Sequence, residues 1–197
     1  MELEIPNWRD IDLYTRKLAE NIQQSMERID AIVSIDRGGT CPSRLLSDYL
    51  NVPTIYHLTV QYYHNLNETK DSPIITHELS CKPRTEYLLV CDDVSDSGNS
   101  LQTVKNYLQN HGFTSIKTAT LYIKPWTKTI PTYYIKKTTA WIIFPWERFE
   151  SLSKLIQKYM KDKSLEEIKQ QLLAAGFERD YLEFYFSRRT ENTTSKQ

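Results

Sequence analysis

The chain has 197 residues with 25 basic and 25 acidic side chains, so its formal net charge at pH 7 is zero. This length suits one domain with an appendage and is sufficient for a hydrophobic core. A balanced charge lacks the basic surface that neutralises nucleic-acid phosphates, so we expect no nucleic-acid partner and only local phosphate binding.

The cysteines and the apolar segments bear on the cellular compartment. Cys41, Cys81 and Cys91 are odd in number and form no CxxC pair, which favours free thiols in a reducing compartment. The sequence is charged from residue 2 and lacks the apolar region of a signal peptide. No apolar stretch approaches the roughly 18 residues needed to span a bilayer, so we expect a cytoplasmic protein without membrane contact.

Helices and strands are predicted to alternate up to residue 147. An apolar stripe predicts the first helix, and short β-branched runs predict buried strands; the stripe comprises Ile11, Tyr14, Leu18, Ile22 and Met26. In chain order we predict a helix over 7–28, a strand over 31–35, a helix over 43–50 with Pro42 at its first position, a strand over 54–63, a polar aperiodic segment over 64–85, a strand over 86–92, a helix over 100–110 and strands over 115–123 and 138–144. This alternation predicts an α/β fold with a mainly parallel twisted sheet flanked by helices.

The pattern changes after Glu147. Two amphipathic helices are predicted over 149–160 and 165–177, the second capped by Ser164 with Glu167 three residues later. We therefore divide the chain into a core over 1–147, a C-terminal helical extension over 148–186 and a polar tail over 187–197, which we predict to be disordered. The apolar faces of the extension are expected to pack on the core or on a second subunit.

The segment over 86–101 contains the main candidate site. A strand that ends in Asp92 and Asp93 is followed by a polar turn with Gly98, and the turn opens a helix. Ligands of parallel α/β sheets bind beyond the carboxyl ends of the strands, and a helix-opening turn presents backbone N–H groups to an anion. The segment therefore predicts a site for a phosphorylated sugar. An ordinary capped loop is the alternative, but it explains two adjacent like charges less well.

The motif VCDDVSDSGNS over 90–100 resembles the signature of type I phosphoribosyltransferases that binds phosphoribosyl pyrophosphate (PRPP). The resemblance covers roughly residues 10–147. Asp96 at the fifth motif position resembles the 6-oxopurine enzymes, whereas adenine and orotate enzymes usually carry Ala or Thr there. Asn99 departs from the Lys or Gly of many 6-oxopurine enzymes, at a position that acts mainly through its backbone.

The resemblance implies a role for each residue of this motif. Asp92 and Asp93 hold the ribose hydroxyls, and Asp93 also supports Mg²⁺, the implied cofactor. Asp96 is the catalytic residue, because a carboxylate there can manage the proton at N7 of the purine. The 5′-phosphate lies in a cradle formed by Ser95, Ser97, Gly98, Asn99 and Ser100.

A second candidate site is the turn SIDRGG over 34–39. Two glycines let backbone amides approach an anion, and the guanidinium of Arg37 offers a fork of donors, although a charged turn is the usual explanation of such a sequence. Next to the first motif, the turn resembles the pyrophosphate loop of the family. The resemblance implies that Arg37, Gly38 and Gly39 bind pyrophosphate, and that the Arg37–Gly38 peptide is strained.

A third candidate site follows the last two predicted strands of the core. Lys124 can donate to an exocyclic carbonyl and Trp141 can stack on a purine, but each residue alone is as easily a solvated or core side chain. The order of these residues resembles the base pocket, or hood, of bacterial xanthine–guanine phosphoribosyltransferases. The resemblance implies that Lys124, Trp141 and Ile142 bind the purine and that Glu147 approaches the C2 side or a second Mg²⁺. Ile143 stands where the bacterial enzyme has an acid, so the preference at C2 stays open.

The polar stretch over about 62–85 resembles the flexible loop that closes over PRPP, with Tyr62 or Tyr63 as the contact; a disordered surface loop is the alternative.

The resemblance as a whole implies a Mg²⁺-dependent purine salvage enzyme that forms a homodimer. Such an enzyme joins PRPP and hypoxanthine, guanine or xanthine to give a nucleoside monophosphate and pyrophosphate. The alternatives are a regulator of the same fold that senses PRPP or purines without catalysis, and a phosphoribosyltransferase for another base.

Overall fold

A computed structural model of the chain describes residues 2–63, 72–79, 87–159 and 162–194, and it has the predicted α/β architecture. In chain order the elements are β1 (Leu3–Glu4), α1 (Trp8–Gln24), β2 (Ala31–Asp36), α2 (Thr40–Tyr49), β3 (Ile55–Tyr63), β4 (Ser72–His77), β5 (Tyr87–Ser95), α3 (Asn99–Asn110), β6 (Ser115–Ile123), β7 (Tyr133–Lys137), β8 (Trp141–Ile142), α4 (Arg148–Tyr159), α5 (Leu165–Ala174) and α6 (Arg179–Thr194). Within the described ranges, no helix has the length and apolar character needed to cross a bilayer.

The chain forms two compact units. The larger one comprises Arg9–Thr139, and the smaller one combines the N-terminal residues up to Trp8 with the segment from Ala140 onward. The units divide before the boundary at residue 147 that the sequence predicts, because Ile143 packs with apolar side chains of the C-terminal helices, such as Leu152 and Leu155.

The larger unit is built on a six-stranded sheet with the order β4-β3-β2-β5-β6-β7. All neighbouring strands are parallel except β3 and β4, which are antiparallel. The parallel arrangement confirms the predicted sheet and brings the carboxyl ends of β2, β5 and β6 to one edge. Two of the three candidate sites therefore begin at this edge, after β5 and after β2, and the lysine of the third follows β6.

The core of the larger unit explains why the short apolar runs form strands. Val33 of β2 pairs with Val90 of β5, and both are fully buried, as expected for strands covered on both faces. The stripe of α1 is buried at Ile11, Leu18 and Ile22, but the helix ends at Gln24 and leaves Met26 exposed.

The smaller unit contains the C-terminal helices and a short parallel pair of strands, β1 and β8. The predicted capping box of α5 is confirmed, with the Ser164 hydroxyl accepting from the Glu167 N–H and the Glu167 carboxylate accepting from the Ser164 N–H. The helices bury a common apolar cluster that includes Leu172 and Tyr185.

Several boundaries differ from the predicted ones. The strand predicted over 138–144 is replaced by β7 and β8, because residues 141–143 bond to the N-terminal segment instead of extending the large sheet. β4 lies within the segment predicted to be aperiodic, at the sheet edge, where its Pro73 is tolerated. Pro42 is the third residue of α2 and not the first. α6 continues to Thr194, so residues 187–194 are helical where a disordered tail is predicted; extending an existing helix requires no new nucleation.

Candidate active site

The main candidate site is a cavity of about 220 Å³ at the carboxyl end of β5. It is lined by Tyr62 of β3 and by the segment that links β5 to α3: Asp92, Asp93, Val94, Ser95, Asp96, Ser97, Gly98, Ser100 and Leu101. Most of the first predicted motif therefore surrounds one cavity. Of the two loop tyrosines, Tyr62 lines this cavity, while the side chain of Tyr63 and most of the loop over 62–85 lie outside the described residues.

The acidic pair lies in the last part of β5, as predicted, although the strand extends past its predicted end at residue 92. β5 continues to Ser95, so Asp92 and Asp93 are held by the parallel ladder and are only 9% and 8% exposed. The backbone N–H of Asp93 donates to Oδ1 of Asp92 over 2.9 Å. Burial, and then the neighbouring charge of Asp93, raise the pKa of Asp92 well above its usual range. Two adjacent buried carboxylates are thus ready for a ligand that supplies hydroxyl donors or positive charge.

The turn after β5 has the geometry of an anion cradle. Gly98 precedes α3 with a left-handed φ of 83°, and a Cβ at this position would lie 2.5 Å from the backbone N of Thr129. The Ser100 hydroxyl lies 3.1 Å from the Tyr62 hydroxyl at the cavity wall. The Ser95 hydroxyl has a structural role. It is buried and donates to the Thr129 carbonyl over 2.9 Å, which connects the cradle to the loop after β6.

The turn over 36–39 lies beside the acidic pair. A Cβ added at Gly38 would lie 2.5 Å from Oδ2 of Asp93, so the second candidate site directly adjoins the first. Arg37 is exposed, and the cis peptide bond is Asp36–Arg37, one bond before the peptide that the resemblance implies. Neither residue is proline, so the sequence carries no signal for this isomer.

Asp36 is the last residue of β2 and lies directly before Arg37 of the second candidate site, but the sequence alone suggests no role for it. Its carboxylate accepts from the hydroxyls of Ser34 at 2.7 Å and Thr40 at 2.9 Å, and Nδ1 of His57 lies 3.0 Å from Oδ2. These contacts fix the start of the turn over 36–39. The only sequence signal for them is a carboxylate at the end of a buried strand.

A Cβ added at each of the two glycines of this turn would contact different parts of the protein. A Cβ at Gly39 would overlap the carbonyl oxygen of Cys91 in β5, whereas the three atoms nearest to a Cβ at Gly38 belong to the side chain of Asp93. We expect Gly39→Ala to lower the free energy of unfolding by about 1–3 kcal/mol, because the start of α2 must shift away from the backbone of β2 and β5. Gly38→Ala is the matched control and should be less destabilising. Denaturant unfolding measures both; wild-type stability of Gly39→Ala would contradict the expectation.

Lys124 follows β6 and faces Trp126, for which the sequence alone suggests no role. The Lys124 side chain is only 6% exposed, and its Nζ lies 5.7 Å from the ring centroid of Trp126. The indole Nε1 of Trp126 donates to Oδ1 of Asp96 over 2.7 Å. The structure thus brings together two predicted site residues, Lys124 and Asp96, on one aromatic side chain.

The other predicted purine-binding residues belong to the smaller unit. Trp141 and Ile142 form β8, and the Trp141 N–H donates to the Glu2 carbonyl over 2.9 Å. Glu147 is half-buried in the turn before α4, where its N–H donates to the Phe144 carbonyl. Among the described residues, no three His, Cys, Asp or Glu side chains are grouped to hold a metal ion.

Comparison with known proteins identifies the family. The phosphoribosyl transferase domain model matches residues 4–171. The chain is 27% identical over 143 residues to a xanthine-guanine phosphoribosyltransferase of Idiomarina loihiensis, covering 72% of this chain and 84% of that protein. Among solved structures, a purine phosphoribosyltransferase from Pyrococcus horikoshii is 32% identical with a TM-score of 0.66, covering 74% of this chain and 95% of its own.

A xanthine-guanine-hypoxanthine phosphoribosyltransferase of Helicobacter pylori has the same fold, with a TM-score of 0.68, 24% identity and coverage of 78% of this chain and 99% of its own. The family match spans both the acidic motif at the end of β5 and the turn after β2, so it agrees with the resemblance carried by those residues. The chain belongs to the phosphoribosyl transferase family.

Proposed function

We propose that this protein is a purine salvage enzyme that transfers the 5-phosphoribosyl group of PRPP to a 6-oxopurine base. The products are a nucleoside 5′-monophosphate and pyrophosphate, and hypoxanthine, guanine and xanthine are the candidate bases. The observation that carries the proposal is the cavity at the end of β5, where a buried pair of carboxylates adjoins a helix-opening loop of small polar residues. The names of the relatives from Idiomarina loihiensis and Pyrococcus horikoshii support a purine as the acceptor.

The PRPP half of the site is assigned from β5 outward. Asp92 and Asp93 hold the ribose hydroxyls, because ionised carboxylates accept hydrogen bonds from a diol. The 5′-phosphate binds where α3 begins, since the first N–H groups of a helix and its dipole attract an anion. This cradle comprises Ser95, through its backbone, and Ser97, Gly98, Asn99 and Ser100. The turn of Arg37, Gly38 and Gly39 binds the pyrophosphate, as supported by the packing of Gly38 against Asp93.

The acidic pair also fits Mg²⁺. Burial and mutual repulsion raise the pKa of Asp92, and a divalent cation offsets that repulsion. Mg²⁺ is usually held by one or two carboxylates together with phosphate oxygens of the substrate. Asp93 would hold the ion, and the resemblance implies Glu147 as a further candidate. When bound, Mg²⁺ would supply positive charge for the departing pyrophosphate.

In the larger unit, Lys124 is assigned to donate to O6 of the purine and Asp96 to act at N7. Trp141 and Ile142 remain purine contacts that the family resemblance implies: the Trp141 ring stacks on the base, and the Ile142 backbone reads N1 and the C2 substituent. The N9 electron pair forms the bond to C1′ of PRPP while the bond from C1′ to the pyrophosphate oxygen breaks. Pyrophosphate leaves with the electron pair of the broken bond. The proton on N7 passes to the Asp96 carboxylate.

We further propose that the enzyme works in the cytoplasm as a homodimer. The family resemblance supports the dimer. The free thiols of Cys41 and Cys91 are compatible with a reducing compartment.

A survey of bases tests the substrate class. Incubation with PRPP, Mg²⁺ and each base, followed by UV absorbance, should show turnover with at least one 6-oxopurine and little with adenine. The physical reason is that adenine presents amino hydrogens at C6, whereas the ammonium of Lys124 can only donate. If adenine or orotate is the best substrate, the 6-oxopurine assignment is wrong although the family stands. If no base is turned over, a sensor of PRPP or purines becomes the better interpretation.

A further inference from the structure

Trp126 lies in a tight turn between two residues of the proposed purine site. The turn is closed by the Thr127 N–H, which donates to the Lys124 carbonyl over 3.1 Å, with Pro125 at the second position that this turn favours. From there the indole reaches both neighbours: Nε1 donates to Oδ1 of Asp96 over 2.7 Å, and the ring lies under the Lys124 ammonium at 5.7 Å.

The backbone around this turn is fixed to the loop that carries Asp96. The Lys124 N–H donates to the Ser95 carbonyl and the Lys128 N–H donates to the Ser97 carbonyl, both over 3.0 Å. The Ser95 hydroxyl bonds to the Thr129 carbonyl as well. The loops after β5 and β6 therefore form one framework, and the Trp126–Asp96 contact is an additional side-chain bond within it.

Burial does not account for the position of this ring. Trp126 is 54% exposed, so its indole N–H could bond to water at little loss to the fold. The N–H is instead directed at the carboxylate assigned to the N7 proton. A hydrogen bond to Oδ1 sets the plane of the carboxylate and leaves Oδ2 as the oxygen that receives the proton, while the ring face orients the cation.

We propose that Trp126 is a positioning residue that aligns both polar groups of the base site, Asp96 through its N–H and Lys124 through its ring face. This inference rests on the proposed function. Trp126 then has two separable effects. Through Asp96 it acts on proton transfer in the transition state, and through Lys124 it acts on recognition of the 6-oxo group in the bound substrate.

Two substitutions separate these effects. Trp126→Phe keeps an aromatic face for Lys124 but has no N–H, so we expect kcat to fall roughly 3- to 10-fold with the KM values of base and PRPP within about twofold of wild type. Trp126→Leu lacks both interactions, so kcat should fall similarly and the KM of the purine should also rise roughly 3- to 10-fold. The KM of PRPP should stay unchanged in both variants, because the phosphate cradle is not altered.

Two controls distinguish positioning from a general structural effect. Tyr134→Phe, which removes the polar hydrogen of another exposed aromatic side chain in the same unit, should leave all three parameters at wild-type values. In an Asp96→Ala background, Trp126→Phe should cause no further loss of kcat, because Trp126 acts on turnover through Asp96. An indole N–H resonance that is assigned to Trp126 by its loss in Trp126→Phe should also shift in Asp96→Ala.

The outcomes separate this inference from the function on which it rests. Wild-type turnover with an undiminished kcat in Trp126→Phe, or additive losses in the double variant, would overturn the role of Trp126 and leave the proposed function intact. Absence of wild-type turnover with every purine would overturn the proposed function, and the positioning role with it. A raised KM for PRPP in either variant would mark Trp126 as a structural residue of the loop framework.

Discussion

Asp93→Asn is expected to weaken PRPP binding by about 10- to 100-fold, because it removes the charge from an assigned ribose contact. Hydrogen bonds to charged groups contribute roughly 1.5–3 kcal/mol, and each 1.4 kcal/mol changes a dissociation constant tenfold. Asparagine is nearly the same size as aspartate, so the ladder of β5 and the contact with Gly38 should be preserved.

The same substitution should not destabilise the protein. Burial and the charge of Asp93 raise the pKa of Asp92, so ionisation of Asp92 at neutral pH is less favourable in the folded than in the unfolded chain. Removing the Asp93 charge lessens that penalty, and the melting temperature should be equal to or above that of wild type. Loss of ligand affinity without loss of stability indicates a residue that binds the ligand but lowers the free energy of unfolding of the free protein.

Calorimetric titration with PRPP and Mg²⁺, together with thermal unfolding, checks both expectations. Asp48→Asn is the matched control, since it makes the same chemical change at an exposed carboxylate of α2 and should alter neither quantity. Wild-type PRPP affinity in Asp93→Asn would remove the central assignment of the site.

Much of the large sheet could be predicted because the composition of short segments is enough to identify most of its strands. The run over 115–123 is β6 with the predicted bounds, and the runs over 31–35 in β2 and 88–91 in β5 are buried on both faces. Their apolar character reflects double burial in a parallel sheet, which a short window of sequence reveals.

The elements that were missed either pair with a distant segment of the chain or lie at an edge of the large sheet. β8 pairs with β1, which lies at the other end of the chain, so no local pattern separates residues 141–142 from a strand of the large sheet. β7 is an edge strand with two lysines and partial exposure, and β4 contains a proline. Edge strands bury less apolar surface, and their composition is correspondingly less distinctive.

The candidate site shows the same division between local and long-range information. The acidic pair and the phosphate cradle lie on one continuous segment, so a sequence motif is enough to identify them. The Trp126–Asp96 bond joins residues 30 positions apart, and the Asp36–His57 contact joins residues 21 apart. Such contacts follow from the way the parallel strands lie side by side in the sheet, which sequence spacing does not reveal.

Asp96→Asn is expected to lower kcat by roughly 10²–10⁴-fold, the range of general acid–base assistance by one side chain. Asparagine retains an oxygen that can accept the hydrogen bond from Trp126, which spans 2.7 Å in the wild type, so the position of the side chain should be preserved. The amide cannot take the N7 proton, so the loss should appear in the chemical step. Stability should change by no more than about 0.5 kcal/mol, because the side chain is exposed.

Measurement of kcat and PRPP affinity in the same two proteins separates an enzyme from a sensor. In the enzyme, kcat falls while PRPP affinity changes little, since the phosphate is assigned to backbone amides and hydroxyls on either side of Asp96 and the ribose to Asp92 and Asp93. In a sensor, the wild type shows no turnover and the substitution alters only ligand affinity. An undiminished kcat in Asp96→Asn would remove the catalytic role of this carboxylate, and the N7 proton would then have to leave to solvent or to another group of the site.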